Sequence, residues 1–319
     1  MKRPRIVVLD GYAGNPGDLS WEPMEALGNL TVYPRTAAEQ TIARCTNADI
    51  VMTNKVRLDA NVLSALPSLR FINVLATGVN VVDVAEARQR GIVVSNVPAY
   101  SSQAVAQMAL AHLLNATTHV AHYVRQVRDG QWQNHPDYPC DRPIVELAGK
   151  RLGIVGLGHI GMSLAYMALG LQMQVLAYTS KPATLLPKGI EKRELDALFR
   201  ESDFVSLHCP LCPETAGIVS RERLFSMKKG AILINTSRGG LIDEAALIDA
   251  LECEHLGAAC LDAITEEPPS ATNPLLHAKH CLITPHIGWT SREARQRLMD
   301  VSVANLQAFL EGHPQNVVS

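Results

Sequence analysis

The chain has 319 residues, of which 47% are hydrophobic and 19% charged, and its formal net charge is −2 at pH 7. This length exceeds what one hydrophobic core usually serves, so we expect two domains. The composition is that of an ordinary globular protein, and the near-neutral charge gives no global field that would favour nucleic acid or an anionic membrane. In addition, no apolar run approaches the ~20 residues that span a bilayer. We therefore expect that the protein binds neither nucleic acid nor a membrane.

The amino terminus and the cysteines both favour a cytoplasmic protein. The apolar stretch 6–9 is too short for a signal peptide and is followed at once by Asp10, so it is better interpreted as a first strand. Seven cysteines are scattered along the chain, as is typical of a reducing compartment. The segment HCPLC at 208–212 has the spacing of a zinc or redox site, but no second cysteine pair has ligand spacing, so we expect no metal.

Apolar runs alternate with helix-like segments along the chain, a pattern typical of parallel α/β sheets. In the first part of the chain the pattern predicts helices at 61–66 and 82–90. The strands predicted there are 5–9, 49–53, 69–75 and 91–95. Because ligands of open α/β sheets bind at the carboxyl ends of strands, the loops after these strands are candidate walls of a binding site.

A long apolar helix is predicted from Ser102 to about Asp129. A helix with small or apolar residues over most of its first half is usually buried, either between domains or between subunits. A final amphipathic helix is predicted at 291–311. The strands predicted in this second part are 153–155, 174–178, 204–207, 231–235, 257–261 and 281–284.

The glycine motif G-x-G-x-x-G occurs as GLGHIG, after an apolar strand and at the start of an apolar helix, which is the context that a dinucleotide-binding loop needs. Gly156 permits the tight turn, Gly158 lets a pyrophosphate approach the backbone, and Gly161 permits close packing of helix on strand. The helix amino terminus then offers unpaired N–H groups to the anion. We expect a dinucleotide here, with further contacts from His159 and Ile160.

The acidic residue that NAD-binding motifs carry after the next strand is missing from this sequence. The strand at 174–178 leads instead into Thr179, Ser180 and Lys181. A carboxylate at this place binds the ribose hydroxyls of NAD and repels the 2′-phosphate of NADP, whereas hydroxyl and ammonium groups can donate to a phosphate. Two cofactors therefore stay open: NADP(H), recognised by its phosphate, or NAD(H), with Thr179 and Ser180 bonded to ribose hydroxyls.

Three successive predicted strand ends carry an arginine, a glutamate and a histidine. Arg238 lies in SRGG, and its planar guanidinium can hold a carboxylate with two hydrogen bonds, although an ion pair with a helix acid such as Glu244 is the alternative. Glu267 lies in TEEP. His286, which titrates near neutral pH, lies between a proline and a glycine in TPHIGW. Carboxyl ends of neighbouring parallel strands share one edge, so these three side chains are expected beside the dinucleotide.

Together these motifs resemble the D-2-hydroxyacid dehydrogenase family. The resemblance rests on GLGHIG, NTSRGGLIDE, LDAITEEPP and TPHIGW and covers essentially the whole chain, while VLDGYAGNPGDLSWEPMEALG, VMTNK, LATGVNVVDV and NVPAYSSQAVAQMAL resemble the glycerate dehydrogenase (hydroxypyruvate reductase) branch. It implies an α/β fold with two doubly wound parallel-sheet domains. A Rossmann dinucleotide-binding domain, 99–289, would be inserted in a flavodoxin-like substrate domain, 1–98 with 290–319. The long helix would help to form a homodimer.

The family's residue roles carry over to matching positions. Arg238 would orient the substrate carboxylate and carbonyl, Glu267 would be the partner of the histidine, and His286 would be the general acid/base. The further cofactor contacts implied are Cys209, Pro210, Thr236, Ser237, Asp262 and Gly288. The substrate contacts implied are Asn54, Lys55, Thr77, Gly78 and Val79.

The implied reaction is the reduction of a small 2-keto acid by hydride from a nicotinamide. Protonated His286 would donate to the carbonyl oxygen, and neutral His286 would remove the hydroxyl proton in the reverse direction, a contribution of ~10²–10⁴-fold. A carboxylate such as Glu267 in contact with the ring favours its imidazolium form. Arg238 would polarise the carbonyl and clamp the acid.

Two other functions are considered as alternatives. Formate dehydrogenases carry a glutamine in place of the glutamate partner, so Glu267 argues against that activity. A dinucleotide-dependent, peptide-binding corepressor without turnover is the alternative from another class, since such proteins resemble this family and can retain the trio. Hydroxypyruvate and glyoxylate are the expected substrates, while Lys55 and Arg57 leave 3-phosphohydroxypyruvate open.

Overall fold

A computed structural model describes residues 3–135, 137 and 141–319. They divide into two compact units: the first is Met1–Ser101 with Thr290–Ser319, and the second is Ser102–Trp289. The second unit is thus inserted in the first, which is the fold that the family resemblance implied. The domain limits predicted from the sequence stay predictions, as does the assignment of one unit to substrate and the other to cofactor.

The first unit contains a parallel five-stranded sheet in the order β2-β1-β3-β4-β5. Its central strands are mostly apolar and are buried along their whole length, as expected where helices cover both faces. The strands are β1 (Arg5–Val8), β2 (Asn29–Val32), β3 (Ile50–Thr53), β4 (Phe71–Val74) and β5 (Val93–Ser95). The helices are α1 (Gly11–Gly14), α2 (Glu22–Glu25), α3 (Thr41–Cys45), α4 (Ala60–Ser64), α5 (Val84–Gln89) and α12 (Arg292–Leu310), with a 3₁₀ turn at Ala38–Gln40.

The carboxyl-terminal helix α12 returns to this sheet through apolar and polar contacts. The rings of Phe71 and Phe309 stack with centroids 4.4 Å apart. Asn73 Nδ2 donates to Ser302 Oγ (3.0 Å), and Asn305 Nδ2 donates to Asn73 Oδ1 (2.8 Å). Because these amides are buried, their mutual hydrogen bonds fix where α12 lies on the sheet.

The second unit contains a parallel seven-stranded sheet in the order β12-β11-β10-β9-β6-β7-β8. The strands are β6 (Arg151–Val155), β7 (Gln174–Tyr178), β8 (Ile190–Lys192), β9 (Phe204–Leu207), β10 (Ala231–Asn235), β11 (Leu256–Leu261) and β12 (Cys281–Ile283). The helices are α6 (Ser102–Thr118), α7 (Val120–Arg128), α8 (His159–Gly170), α9 (Leu195–Glu201), α10 (Arg221–Ser226) and α11 (Glu244–Glu252). The 3₁₀ turns are Ala183–Leu185, Gly239–Leu241 and Pro274–Leu276.

Helices cover both faces of this sheet, because successive side chains of each strand point to opposite sides. Ile232 and Ile234 pack with α6 and α8, whereas Leu233 packs with α9, α10 and α11. The strand order reverses between β6 and β9, and the carboxyl edge at such a switch point is where open α/β sheets bind ligands.

One predicted helix needs correction, and two strands were missed. The helix predicted from Ser102 to about Asp129 is two helices, α6 and α7, because His119 adopts a left-handed φ of +53° that no α-helix can contain. The edge strands β2 and β8 were not predicted, since each is short and partly exposed and lacks an apolar run. Among the described residues, no helix is long and apolar enough to cross a bilayer.

Candidate active site

A histidine–carboxylate pair lies at the carboxyl edge of the second unit's sheet. His286 Nδ1 is 2.7 Å from Glu267 Oε2, and the two side chains are 24% and 29% exposed. Glu267 Oε1 accepts the Ile264 N–H (3.2 Å), which fixes the carboxylate. With Nδ1 held by an acceptor, Nε2 is the ring nitrogen available to exchange a proton with a substrate.

The backbone at His286 is held in an uncommon conformation. Its φ is +53°, in the left-handed region that residues with a Cβ seldom occupy. Its N–H donates to the Thr284 carbonyl (2.9 Å), which closes a tight turn around Pro285. The chain therefore turns sharply at His286, directly after β12 ends.

Arg238 and Glu267 lie on neighbouring loops because Gly239 has no side chain. A Cβ at Gly239 would run into the backbone of Ile264 and Thr265. Arg238 itself is exposed at the end of β10, where its Nη1 donates to the Ser237 carbonyl (2.8 Å). Glu244, the acid considered as an alternative partner for Arg238, instead accepts the Thr265 N–H through Oε1 (2.8 Å).

Asp262 ties the loop after β12 to the end of β11. The carboxylate is buried, with 2% of the residue exposed. Oδ1 accepts from Thr284 Oγ1 (2.6 Å) and from the Ile287 N–H (2.9 Å), and Oδ2 accepts from the Gly288 N–H (2.8 Å). A Cβ on Gly288 would lie 2.9 Å from Asp262 Oδ2, so only glycine leaves this carboxylate undisturbed.

Two residues of this network were missed by the sequence analysis. Thr284 lies in TPHIGW itself, directly before the proline. His112 is the one titratable residue of α6; its Nε2 lies 3.0 Å from Thr284 Oγ1, and burial lowers its pKa while the charge of Asp262 partly opposes this shift. A histidine inside an otherwise apolar helix was the available signal, but nothing local shows its partner.

The phosphate loop has the geometry that its three glycines predict. Gly156 has φ +96°, and a Cβ there would lie 2.6 Å from the Cys209 nitrogen. A Cβ on Gly161 would run into the Gly156 carbonyl oxygen. At Gly158, the N-cap of α8, no heavy atom of the described residues lies within 4 Å of the position that a Cβ would take. Open space at the amino terminus of a 12-residue helix fits a dinucleotide pyrophosphate.

A second lysine, Lys192, lies beside Lys181 at the end of β7. The Lys181 N–H donates to Thr179 Oγ1 (3.2 Å), and Lys192 Nζ donates to the Lys181 carbonyl (2.9 Å). Lys192 ends β8, opposite Ala177 of β7, and it was missed because β8 was not predicted. Its neighbour Glu191 is paired with an arginine.

The other predicted cofactor contacts of this unit also lie at strand ends. Ser237 Oγ donates to the Leu207 carbonyl (2.8 Å), and buried Thr236 Oγ1 has no hydrogen-bond partner among the described residues. Cys209 is half-buried, and burial raises the pKa of its thiol to about 11; Pro210 is exposed. Across the described part of the chain, no cluster of three or more His, Cys, Asp or Glu could hold a metal ion.

The predicted substrate contacts lie in loops of the first unit. Buried Asp10, which the sequence analysis did not single out, accepts the N–H groups of Asn54 (2.9 Å) and Lys55 (2.5 Å) at the end of β3, and its burial raises its pKa. Asn54 Nδ2 donates to the Leu75 carbonyl (2.5 Å). After β4 come Thr77, Gly78 and Val79; Thr77 Oγ1 donates to the Val97 carbonyl (2.9 Å), and the Val79 carbonyl accepts the Val82 N–H (2.9 Å). Their role in substrate binding stays a prediction.

Known proteins resemble the chain over its whole length. Residues 110–288 match the family described as "D-isomer specific 2-hydroxyacid dehydrogenase, NAD binding domain". A hydroxypyruvate reductase from Blautia hydrogenotrophica is 49% identical over 321 residues, which is 99% of each chain. A glycerate dehydrogenase from Methylorubrum extorquens is 40% identical over 284 residues, 88% of each chain. The crystal structure of the TT0316 protein from Thermus thermophilus superposes with a TM-score of 0.88 at 36% identity, covering 99% of this chain and 100% of that one.

These similarities confirm the family that the sequence motifs suggested, and they agree with a histidine–glutamate pair and a phosphate loop at the carboxyl edge of one sheet. The chain belongs to the D-2-hydroxyacid dehydrogenase family, in its glycerate dehydrogenase and hydroxypyruvate reductase branch, and is a nicotinamide-dependent oxidoreductase of 2-hydroxy acids.

Proposed function

We propose that this dehydrogenase reduces hydroxypyruvate to D-glycerate and also accepts glyoxylate. The direct contact between His286 Nδ1 and Glu267 Oε2 carries the proposal, because it gives the chain the acid/base that reduction of a ketone requires. The choice of hydroxypyruvate is supported by a 49% identical relative that bears the name hydroxypyruvate reductase.

In the proposed mechanism His286 donates a proton from Nε2 to the carbonyl oxygen of the keto acid. Glu267 holds the opposite nitrogen, so it orients the ring and leaves Nε2 for the substrate. Arg238 stays cationic and holds the carboxylate through its planar fork. The phosphate loop would hold the pyrophosphate of a nicotinamide cofactor, which would supply the hydride.

Initial rates of cofactor oxidation with hydroxypyruvate, glyoxylate, pyruvate and 3-phosphohydroxypyruvate test the proposal. The highest kcat/KM is expected with hydroxypyruvate. A higher value with another of these acids would overturn the substrate assignment. Failure to oxidise either cofactor with any 2-keto acid would favour a dinucleotide-dependent, peptide-binding corepressor instead.

We also propose that NADP(H) is the preferred cofactor, because Lys181 and Lys192 meet at the end of β7 where NAD-specific proteins carry a carboxylate. In the same assay kcat/KM with NADPH is expected to exceed that with NADH. Lys192→Ala should lower the NADPH value roughly 10-fold or more, as loss of a charged hydrogen bond implies, and leave the NADH value unchanged.

Lys229→Ala is the matched control for Lys192→Ala. Lys229 is an exposed lysine that precedes β10, so it lies at the opposite, amino edge of the same sheet. Its replacement changes the net charge by the same amount and should leave both kcat/KM values unchanged. Equal losses with NADH and NADPH in Lys192→Ala would contradict recognition of a 2′-phosphate.

A homodimer that buries α7 is the assembly we propose. Three valines of α7 face outward at helical spacing, with 57% of Val120, 44% of Val124 and 41% of Val127 exposed. Val124→Asp should turn a dimer into a monomer in size-exclusion chromatography with light scattering, because it buries a charge in the interface. Leu185→Asp, at a residue that is 71% exposed elsewhere in the unit, should leave the dimer intact. A dimeric Val124→Asp variant would rule out this surface.

A cytoplasmic location remains part of the proposal. The described cysteines, six in number, are all free thiols, as is common in a reducing compartment.

A further inference from the structure

We propose that His112 and Thr284 are positioning residues for the catalytic histidine. With Asp262 they form a chain of hydrogen bonds that runs from α6 to the loop carrying His286, and both His112 and Asp262 are buried. The inference rests on the proposed function of His286 as the acid/base and adds two residues to that reaction, neither of which is expected to touch the substrate.

The direction of every hydrogen bond in this chain follows from the chemistry of its ends. A carboxylate only accepts, so the Thr284 hydroxyl must donate its single proton to Asp262 Oδ1, at 2.6 Å. The Thr284 oxygen is then left with lone pairs alone, and the bond to His112 at 3.0 Å requires a proton on His112 Nε2. One arrangement of protons thus satisfies all three groups.

The far end of the chain controls the backbone on both sides of His286. Asp262 accepts the N–H groups of Ile287 and Gly288, the two residues that follow His286. Thr284, two residues before it, accepts the His286 N–H through its carbonyl. A left-handed residue with a Cβ persists only where its surroundings enforce that conformation, and these bonds contribute to that constraint here.

A small displacement of this loop is expected to cost turnover rather than folding. Proton transfer needs the donor within about 2.6–3.2 Å of the carbonyl oxygen. A shift of about 1 Å in a positioned group can cost ~10²-fold in rate. If the hydroxyl of Thr284 is lost, Asp262 loses one of its hydrogen-bond donors. The loop that carries His286 then loses its hydrogen-bonded connection to His112 of α6.

The test compares variants that break the chain with variants that keep it. Thr284→Val and His112→Leu remove the hydrogen bonds, whereas Thr284→Ser keeps the hydroxyl and His112→Gln keeps a donor near the position of Nε2. Thr117→Val is the matched control, because Thr117 is a buried threonine of the same helix whose hydroxyl bonds only to the carbonyls of its own preceding turn.

Thr284→Val and His112→Leu are expected to lower kcat ~10–10²-fold, with KM for hydroxypyruvate and Kd for the cofactor nearly unchanged. Thr284→Ser and His112→Gln should recover most of the activity. The double variant His112→Leu/Thr284→Val should be no slower than the slower single variant, since both break one chain. Losses that multiply, or a kcat for Thr284→Val equal to that of Thr117→Val, would overturn the proposal.

Hydrogen exchange of the Ile287 and Gly288 amides gives a readout that does not depend on turnover. Both N–H groups should exchange faster in Thr284→Val and in His112→Leu than in the wild type, and at the wild-type rate in Thr117→Val. Unchanged exchange in both chain-breaking variants overturns the proposal even if the enzyme is active. Faster exchange in a protein that reduces no 2-keto acid would keep the hydrogen-bond chain and reject the proposed reaction.

Discussion

Replacing His286 with glutamine is expected to lower kcat for hydroxypyruvate reduction ~10²–10⁴-fold, because the amide cannot deliver a proton to the carbonyl oxygen. The affinity for the cofactor, measured by quenching of protein fluorescence, should stay near that of the wild type. Glutamine is similar in length to histidine, and it leaves in place the bonds that Asp262 accepts from the Ile287 and Gly288 N–H groups, so the loop should keep its shape. The loss would therefore belong to the chemistry and not to the fold.

Two further variants show whether the loss of kcat is specific to His286. Glu267→Gln keeps a hydrogen-bond acceptor for Nδ1 but removes the negative charge beside the ring, so it should lower kcat less than His286→Gln does. His280→Gln is the control at the other end of β12, since His280 is exposed and also has a left-handed φ, of +56°. It should leave kcat unchanged. Turnover by His286→Gln at the wild-type rate would reject His286 as the proton donor.

The placement of the three proposed catalytic residues at one edge of the sheet could be predicted from local sequence, whereas their catalytic roles stay predictions. Arg238, Glu267 and His286 each follow an apolar strand, and parallel strands bring their carboxyl ends to one edge. The contact of His286 with Glu267 then follows from the adjacency of β11 and β12, whose apolar sequences already predicted them as strands.

The residues that were missed depend on contacts that no local pattern encodes. His112 and Thr284 are 172 positions apart, and each taken alone is an ordinary helix or strand-end residue. Lys192 lies on a three-residue edge strand whose composition does not alternate or cluster as a strand usually does. The break at His119 has no glycine or proline to mark it, so the helical periodicity continues across the place where the helix ends.

Gly158→Ala and Gly161→Ala are expected to impair the enzyme for different physical reasons. Gly158 has φ −77° and open space where a Cβ would lie, so alanine should fold normally there. Its methyl group would nevertheless occupy the space through which a pyrophosphate approaches the helix amino terminus. The variant should therefore keep the wild-type Tm and bind the cofactor at least about tenfold more weakly, a cost of about 1.4 kcal/mol.

At Gly161 the same methyl group would meet the carbonyl oxygen of Gly156, which is backbone and cannot rotate away. Such overpacking costs about 1–3 kcal/mol, so Tm should fall by several degrees, by roughly 2–4 °C for each kcal/mol in a unit of this size. Gly170→Ala is the control in the same helix, with no heavy atom of the described residues within 4 Å of the new Cβ, and should lower neither Tm nor the affinity for the cofactor. Normal cofactor affinity in Gly158→Ala would mean that the pyrophosphate does not approach this loop. A lower Tm in Gly161→Ala would not change that conclusion, because it reports only the packing of α8 against the turn.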